Sequence, residues 1–239
     1  MSQTFTLRMA TASIESDAQQ LGVTVDELEQ ICVHVSADIV QQPALHLQLT
    51  YRVRLPTPLL SRQLNWPAWQ PTQVGFSDYL WEETCLECFI AGSPVSCDDM
   101  ATVDHTASYI EINANPDGRY ALYQFEGYRN PATLPPTPLY QADGHTRMCV
   151  HWSDNFTQQS SAIDVPLFSE SSPASSYERR FGVLLTQLSD QQYAVNHTRL
   201  EYIHPCVILN VGKISLYFAS SHASPPDFHN RGYWSRFKY

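Results

Sequence analysis

From Glu29 onward, apolar and polar residues alternate at every second position in short runs. An extended chain sends successive side chains to opposite faces, so a period of two describes strands with one buried face rather than amphipathic helices. Ile31-Cys-Val33-His-Val35 puts its apolar residues on one face, and Leu45-His-Leu47-Gln-Leu49-Thr-Tyr51-Arg-Val53 repeats the pattern. Further strands are predicted at Thr84 to Ala91, Ser108 to Ala114, Arg119 to Phe125, Thr146 to Trp152, Phe181 to Gln187, Cys206 to Asn210 and Lys213 to Phe218. A chain with so many short alternating runs is expected to be all-β, a two-layer antiparallel β-sandwich forming one domain over 1–239.

The connectors carry turn chemistry. Asn115-Pro-Asp-Gly118 is a tight hairpin signal, and Asn210-Val-Gly212 a looser one. Pro56 to Pro71, Pro131 to Pro138 and Ser153 to Ser176 are rich in proline or serine and are expected to be irregular insertions. One short helix is expected at Thr24-Val-Asp-Glu27-Leu, where Thr24 and Glu27 have capping-box spacing.

Composition narrows the partners. With 43% apolar and 12% aromatic residues the chain can bury a large core, so disorder is excluded for its bulk. The net charge of −10 and the absence of clustered cations argue against nucleic acid. The uncharged apolar stretches fall far short of the roughly 20 residues that span a bilayer, so no membrane association is expected. The first residues show no basic segment followed by an apolar one, which makes the cytoplasm the expected compartment. There the six cysteines, Cys32, Cys85, Cys88, Cys97, Cys149 and Cys206, are expected to be free thiols, and the sequons at Asn155 and Asn196 to lack function. Nothing in the sequence sets the oligomeric state.

The residues with chemistry concentrate between Tyr79 and Tyr128. Strand parity sends Leu86, Cys88 and Ile90 to one face, and Cys85, Glu87 and Phe89 to the other. The next strand sends Ile110 and Ile112 to the first face, and Tyr109, Glu111 and Asn113 to the second. Carboxylates, an amide and rings on one sheet face suit a sugar: bidentate partners for hydroxyls and flat surfaces for C–H groups. The alternative is that Glu87, Glu111 and Asn113 face solvent on an open sheet, with Trp81 a rim aromatic. Cys85-Leu-Glu-Cys88 has redox or zinc spacing, but residues three apart on a strand point to opposite faces, so structural thiols are expected. Near the C-terminus, His222, Asp227 and His229 gather in a proline-bearing loop, as a ligand or metal site, an acid/base pair or a hydrogen-bonded loop.

Leu80-Trp81-x-x-Thr84-Cys85-x-Glu87-x-Phe89-Ile90, Tyr109-Ile-Glu111-Ile-Asn113-x-x-Pro116-x-Gly118, Tyr123-x-Phe125-x-x-Tyr128-Arg129, Tyr217-Phe-Ala219-x-x-His222 and Pro226-Asp227-Phe228-His229 form an ordered set. It resembles the bacterial DOMON-like proteins related to the family 9 carbohydrate-binding module, over about two thirds of the chain. The resemblance implies an immunoglobulin-like or jelly-roll sandwich whose concave sheet holds a ligand, a sugar in one branch and haem in another. It places a ligand-binding carboxylate at Glu87, Trp81 close by, and Glu111, Asn113 and Arg129 as hydrogen-bonding neighbours, to which the strand-face reading adds Tyr109 as a ligand-binding candidate, and it allows a structural calcium. The leading expectation is a non-catalytic saccharide-binding protein. The alternatives are a carbohydrate-active enzyme using the Glu87 and Glu111 carboxyls or a metal held by the C-terminal loop, a haem protein using Met148 and histidines, and an interaction module with a decayed site.

Overall fold

The computed structural model describes residues 1–42, 44–92, 108–141, 143–153, 175–185 and 200–238. Cys97, both sequons, the segment 93–106 and most of 153–176 lie outside the described residues.

The period-two pattern produces strands as expected. Among the described residues these are β1 (Ser2–Met9), β2 (Cys32–Val40), β3 (His46–Leu55), β4 (Gly75–Phe76), β5 (Cys85–Gly92), β6 (Tyr109–Ala114), β7 (Arg119–Phe125), β8 (His151–Trp152), β9 (Ser175–Leu184), β10 (Leu200–Val211), β11 (Ile214–Ala219) and β12 (Ser235–Arg236). They join in one path, β4-β7-β6-β5-β10-β11-β1-β2-β3-β9-β8, with β12 beside β10. The pairings are antiparallel except for the parallel pair β4 and β7, so the protein is all-β with a mixed sheet.

The sheet curls because β1 serves both halves. Its residues Ser2 to Leu7 pair with β2, while Arg8 and Met9 pair with β11. Side chains from strands far apart along the path then share one core: Val33, Val35, Leu47 and Leu49 with Leu86, Cys88, Ile90, Ile110, Ile112, Val207 and Leu209. Direct contact is made by Tyr51 of β3, whose buried hydroxyl donates to the Glu87 carbonyl of β5 at 2.6 Å. A second cluster, with Cys85, Phe89, Tyr109, Tyr123, Cys206 and Ala219, covers the opposite face of β5, β6, β7 and β10. Cys85 and Cys88 thus fall on opposite sides, as strand parity requires, and the cysteines of the described residues are unpaired.

Local chemistry sets the turns and caps. Gly118 closes the β6–β7 hairpin at φ 116°, a conformation that favours glycine, and a Cβ there would meet Trp69 and Val74 at 3.1 Å. Helix α2 (Val25–Glu29) carries the expected capping box: Thr24 Oγ1 accepts from the Glu27 amide, and the Glu27 carboxylate accepts from the Thr24 amide at 2.7 Å. Thr24→Ala is expected to lower stability by about 1 kcal/mol, read from the urea midpoint at unchanged slope. An unchanged midpoint would show that packing of the buried Leu28 alone holds this helix.

Several elements depart from the sequence expectation. Helix α1 (Ile14–Leu21) buries only Ala18 and Leu21, and a face that small gives little periodic signal. The segment Pro56 to Pro71, expected to be irregular, contains helix α3 (Pro58–Gln63); Pro58 occupies its first turn, where a missing N–H is harmless, and Thr57 caps it. Of the strand expected over Thr146 to Trp152, only β8 forms a strand; before it Arg147 makes an isolated antiparallel bridge to Tyr140, flanked by the Met148 N–H to Leu139 carbonyl bond at 2.8 Å. Strand β10 runs through Pro205, which falls between the β12 pairing at Ile203 and the β11 ladder that starts at Cys206. No helix of the described residues is long and apolar enough to cross a membrane.

Candidate functional site

Antiparallel register lines the second face in rows across the strands. One row reads Ala121, Asn113, Glu87, Cys206 and Ala219 across β7, β6, β5, β10 and β11; the next reads Tyr123, Glu111, Phe89 and His204. Two buried polar side chains, Asn113 and Glu87, are therefore flanked by small ones, and this strip runs alongside a row bearing rings. Glu87, Glu111, Asn113 and Tyr109 do converge on one face, but they are buried rather than solvated as on an open sheet.

Their hydrogen bonding is uneven. Asn113 Nδ2 donates to Glu111 Oε1 at 2.7 Å, and the Cys85 thiol lies 3.8 Å from Asn113 Oδ1. Glu87, 3% exposed, keeps Oε1 buried without a partner. A buried acceptor left unsatisfied is expensive, and a charged one more so. Burial, with Glu111 adding to it, pushes the Glu87 carboxyl well above the usual carboxylate range. Glu111 is pushed up to about 7 by burial, against the Asn113 amide and the charge of Arg129.

A second chain of contacts closes over Glu111. The Tyr109 hydroxyl accepts the Arg129 backbone N–H at 3.2 Å and lies 2.7 Å from His229 Nδ1. The other ring nitrogen, His229 Nε2, lies 3.7 Å from Glu111 Oε2. Burial and the charge of Arg129 hold His229 down to about 4, so it is neutral at pH 7. The Arg129 guanidinium is turned away and half exposed, donating to Asp227 Oδ1 at 2.8 Å, while Tyr128 donates to Oδ2. Arg129, expected as a neighbour of the site, thus reaches Tyr109 through its backbone N–H, presented at φ 49°.

The C-terminal candidates separate. His229 belongs to the Glu111 chain, and Asp227 positions it through the His229 N–H at 3.1 Å. His222 Nε2 donates to the Arg8 carbonyl at 2.7 Å, apart from both. Among the described residues no group of three or more His, Cys, Asp or Glu is placed to hold a metal ion, so the calcium allowed by the resemblance finds no such set of side chains there. Met148 lies in the main core, whereas His229 packs against Phe89, Tyr109 and Phe125 of the second cluster. Trp81 packs on Tyr123 at 5.9 Å, one ring away from Glu111.

Other contributors escaped the sequence reading. Buried His204 pairs with Phe89, stacks on Trp234 at 6.1 Å and is held down to about 4 by burial and by His222. Tyr123 donates to Asp78 at 2.8 Å. The signal for Tyr123 was its parity on β7, but His204 needed the β5–β10 register. Comparison of the chain with protein-family models, curated proteins and solved structures finds no match.

Proposed function

We propose that the chain is a non-catalytic binding protein that holds a small polar ligand, a saccharide, on the face carrying Glu87, Glu111 and Asn113. The observation that carries this is the buried, unpartnered Glu87 Oε1 beside a second buried carboxylate. A group kept at such expense has a use when a ligand supplies the missing hydrogen bond. The residues in register with Glu87 are small, Ala121, Cys206 and Ala219, and the adjoining row carries the rings of Phe89 and Tyr123, on which Trp81 packs. The DOMON-like resemblance agrees, with the two halves of the curled sheet as the layers of a sandwich. The same reading gives a cytoplasmic protein whose partner is a small molecule rather than nucleic acid or a membrane.

A glycan array followed by calorimetry tests it. Saturable saccharide binding is expected, insensitive to salt for neutral sugars, and Asn113→Ala is expected to weaken it about tenfold, the equivalent of one lost hydrogen bond of about 1.4 kcal/mol. A folded sample that binds no saccharide, or an Asn113→Ala variant that binds as tightly as the parent, contradicts the assignment.

A further inference from the structure

Glu111 is buried between two unlike layers. On one side lies the sheet, where β5, β6, β7 and β10 are tied to one another by continuous ladders. On the other lies the chain between β11 and β12, which forms one 3-10 turn, Arg231–Tyr233, and no strand. Phe228, His229 and Trp234 of this segment pack on Phe89, and His229 and Trp234 also on Tyr109. Its polar ties are few: His229 Nδ1 to the Tyr109 hydroxyl, and Asp227 to Tyr128 and the half-exposed Arg129.

The groups facing Glu111 suit a protonated carboxyl and not an ionised one. Cys85 and Glu87 on β5, Tyr109 on β6, Tyr123 on β7 and Cys206 on β10 are acids that burial holds toward their neutral forms. His204 and His229 are held neutral at pH 7, and His229 Nε2 at 3.7 Å is too far for a hydrogen bond. Asp78 is bonded to Tyr123, and the Arg129 guanidinium to Asp227. A buried carboxylate without a cation is costly, and water relieves that cost most cheaply where no ladder has to break.

We infer that the segment from Asp227 to Trp234 is a cover over Glu111 that lifts when this carboxyl loses its proton, so that the second face is closed in acid and opens toward alkaline pH. The cover belongs to the chain alone and does not depend on the saccharide reading. With the cover lifted, Glu111 titrates near the ordinary 4.5; with it closed, near 7. Below the first value both states hold the proton; between the two only the closed state does, so opening grows with pH, and above the second it levels off.

Hydrogen exchange of the Trp234 indole N–H, bonded to the Phe228 carbonyl at 2.9 Å, reads this opening once divided by the free-indole rate at each pH. Opening is expected to rise at least tenfold from pH 5 to pH 8, levelling off where the Glu111 carboxyl carbon titrates by NMR, while the backbone amides of β6 exchange more slowly throughout. Glu111→Gln is expected to abolish the rise and His229→Phe to keep it. Opening in the parent that ignores pH, or that levels off away from the Glu111 titration, overturns the inference even if the variants do not fold. A rise that survives Glu111→Gln also overturns it, as does exchange of the β6 amides in step with Trp234, since the sheet itself then unfolds.

Discussion

Glu87→Gln is expected to make the protein more stable and less able to bind. In the folded chain Cys85, Cys206, Glu111 and Asn113 surround this carboxyl, and burial with the neighbouring Glu111 raises its proton affinity. In the unfolded chain it titrates near the ordinary value of 4.5. Below that pH both states hold the proton and the substitution removes nothing. As the pH rises, the unfolded state releases its proton while the folded state retains it, so the parent loses stability until the raised folded value is passed. Glutamine has no such titration. At pH 8 the variant is expected to be more stable than the parent, with a higher Tm, and the difference fades below about pH 4.5. Differential scanning calorimetry across pH reads this directly. A variant less stable than the parent at pH 8, or a gap that does not depend on pH, would sink the assignment of a strained buried carboxyl. Gain of stability together with loss of binding is the pattern of a residue kept for function.

Tyr51→Ala is expected to have the largest effect on the fold. The ring is fully buried, stacks on Phe181 at 5.7 Å, and ties β3 to β5 through the Glu87 carbonyl. Removing it opens a cavity and leaves that carbonyl without its donor, at a cost of about 4 kcal/mol. Tyr51→Phe keeps the ring and removes only the hydroxyl, so about 1 kcal/mol is expected. Urea unfolding of the three proteins separates these contributions. Equal loss in both variants would mean that the hydroxyl, rather than the packed ring, joins the two halves of the sheet.

Much of this was legible because parity on a single strand needs no knowledge of its neighbours. Alternation alone sent Glu87 and Phe89 to one side of β5 and Cys88 to the other, and the same logic grouped Tyr109, Glu111 and Asn113 on β6. Burial of that polar face was not legible. It depends on Phe228, His229 and Trp234 folding back against Phe89, a contact between distant parts of the chain. Partnerships across strands were hidden for the same reason, so His204 could not be placed opposite Phe89. Strand β9 begins at Ser175 with polar residues that resemble a loop, and pairing with β3 over its whole length holds it extended. The short helices α1 and α3 bury too few side chains to mark a helical period.

The central claim, that the buried carboxyls of Glu87 and Glu111 receive the ligand, is tested most directly by following their side-chain carboxyl carbon resonances by NMR as a bound saccharide is added. Both are expected to shift saturably with the midpoint seen by calorimetry, while the exposed Glu15 stays unmoved. Saturable saccharide binding with the Glu87 and Glu111 resonances unmoved would contradict the claim and place the ligand elsewhere on the protein.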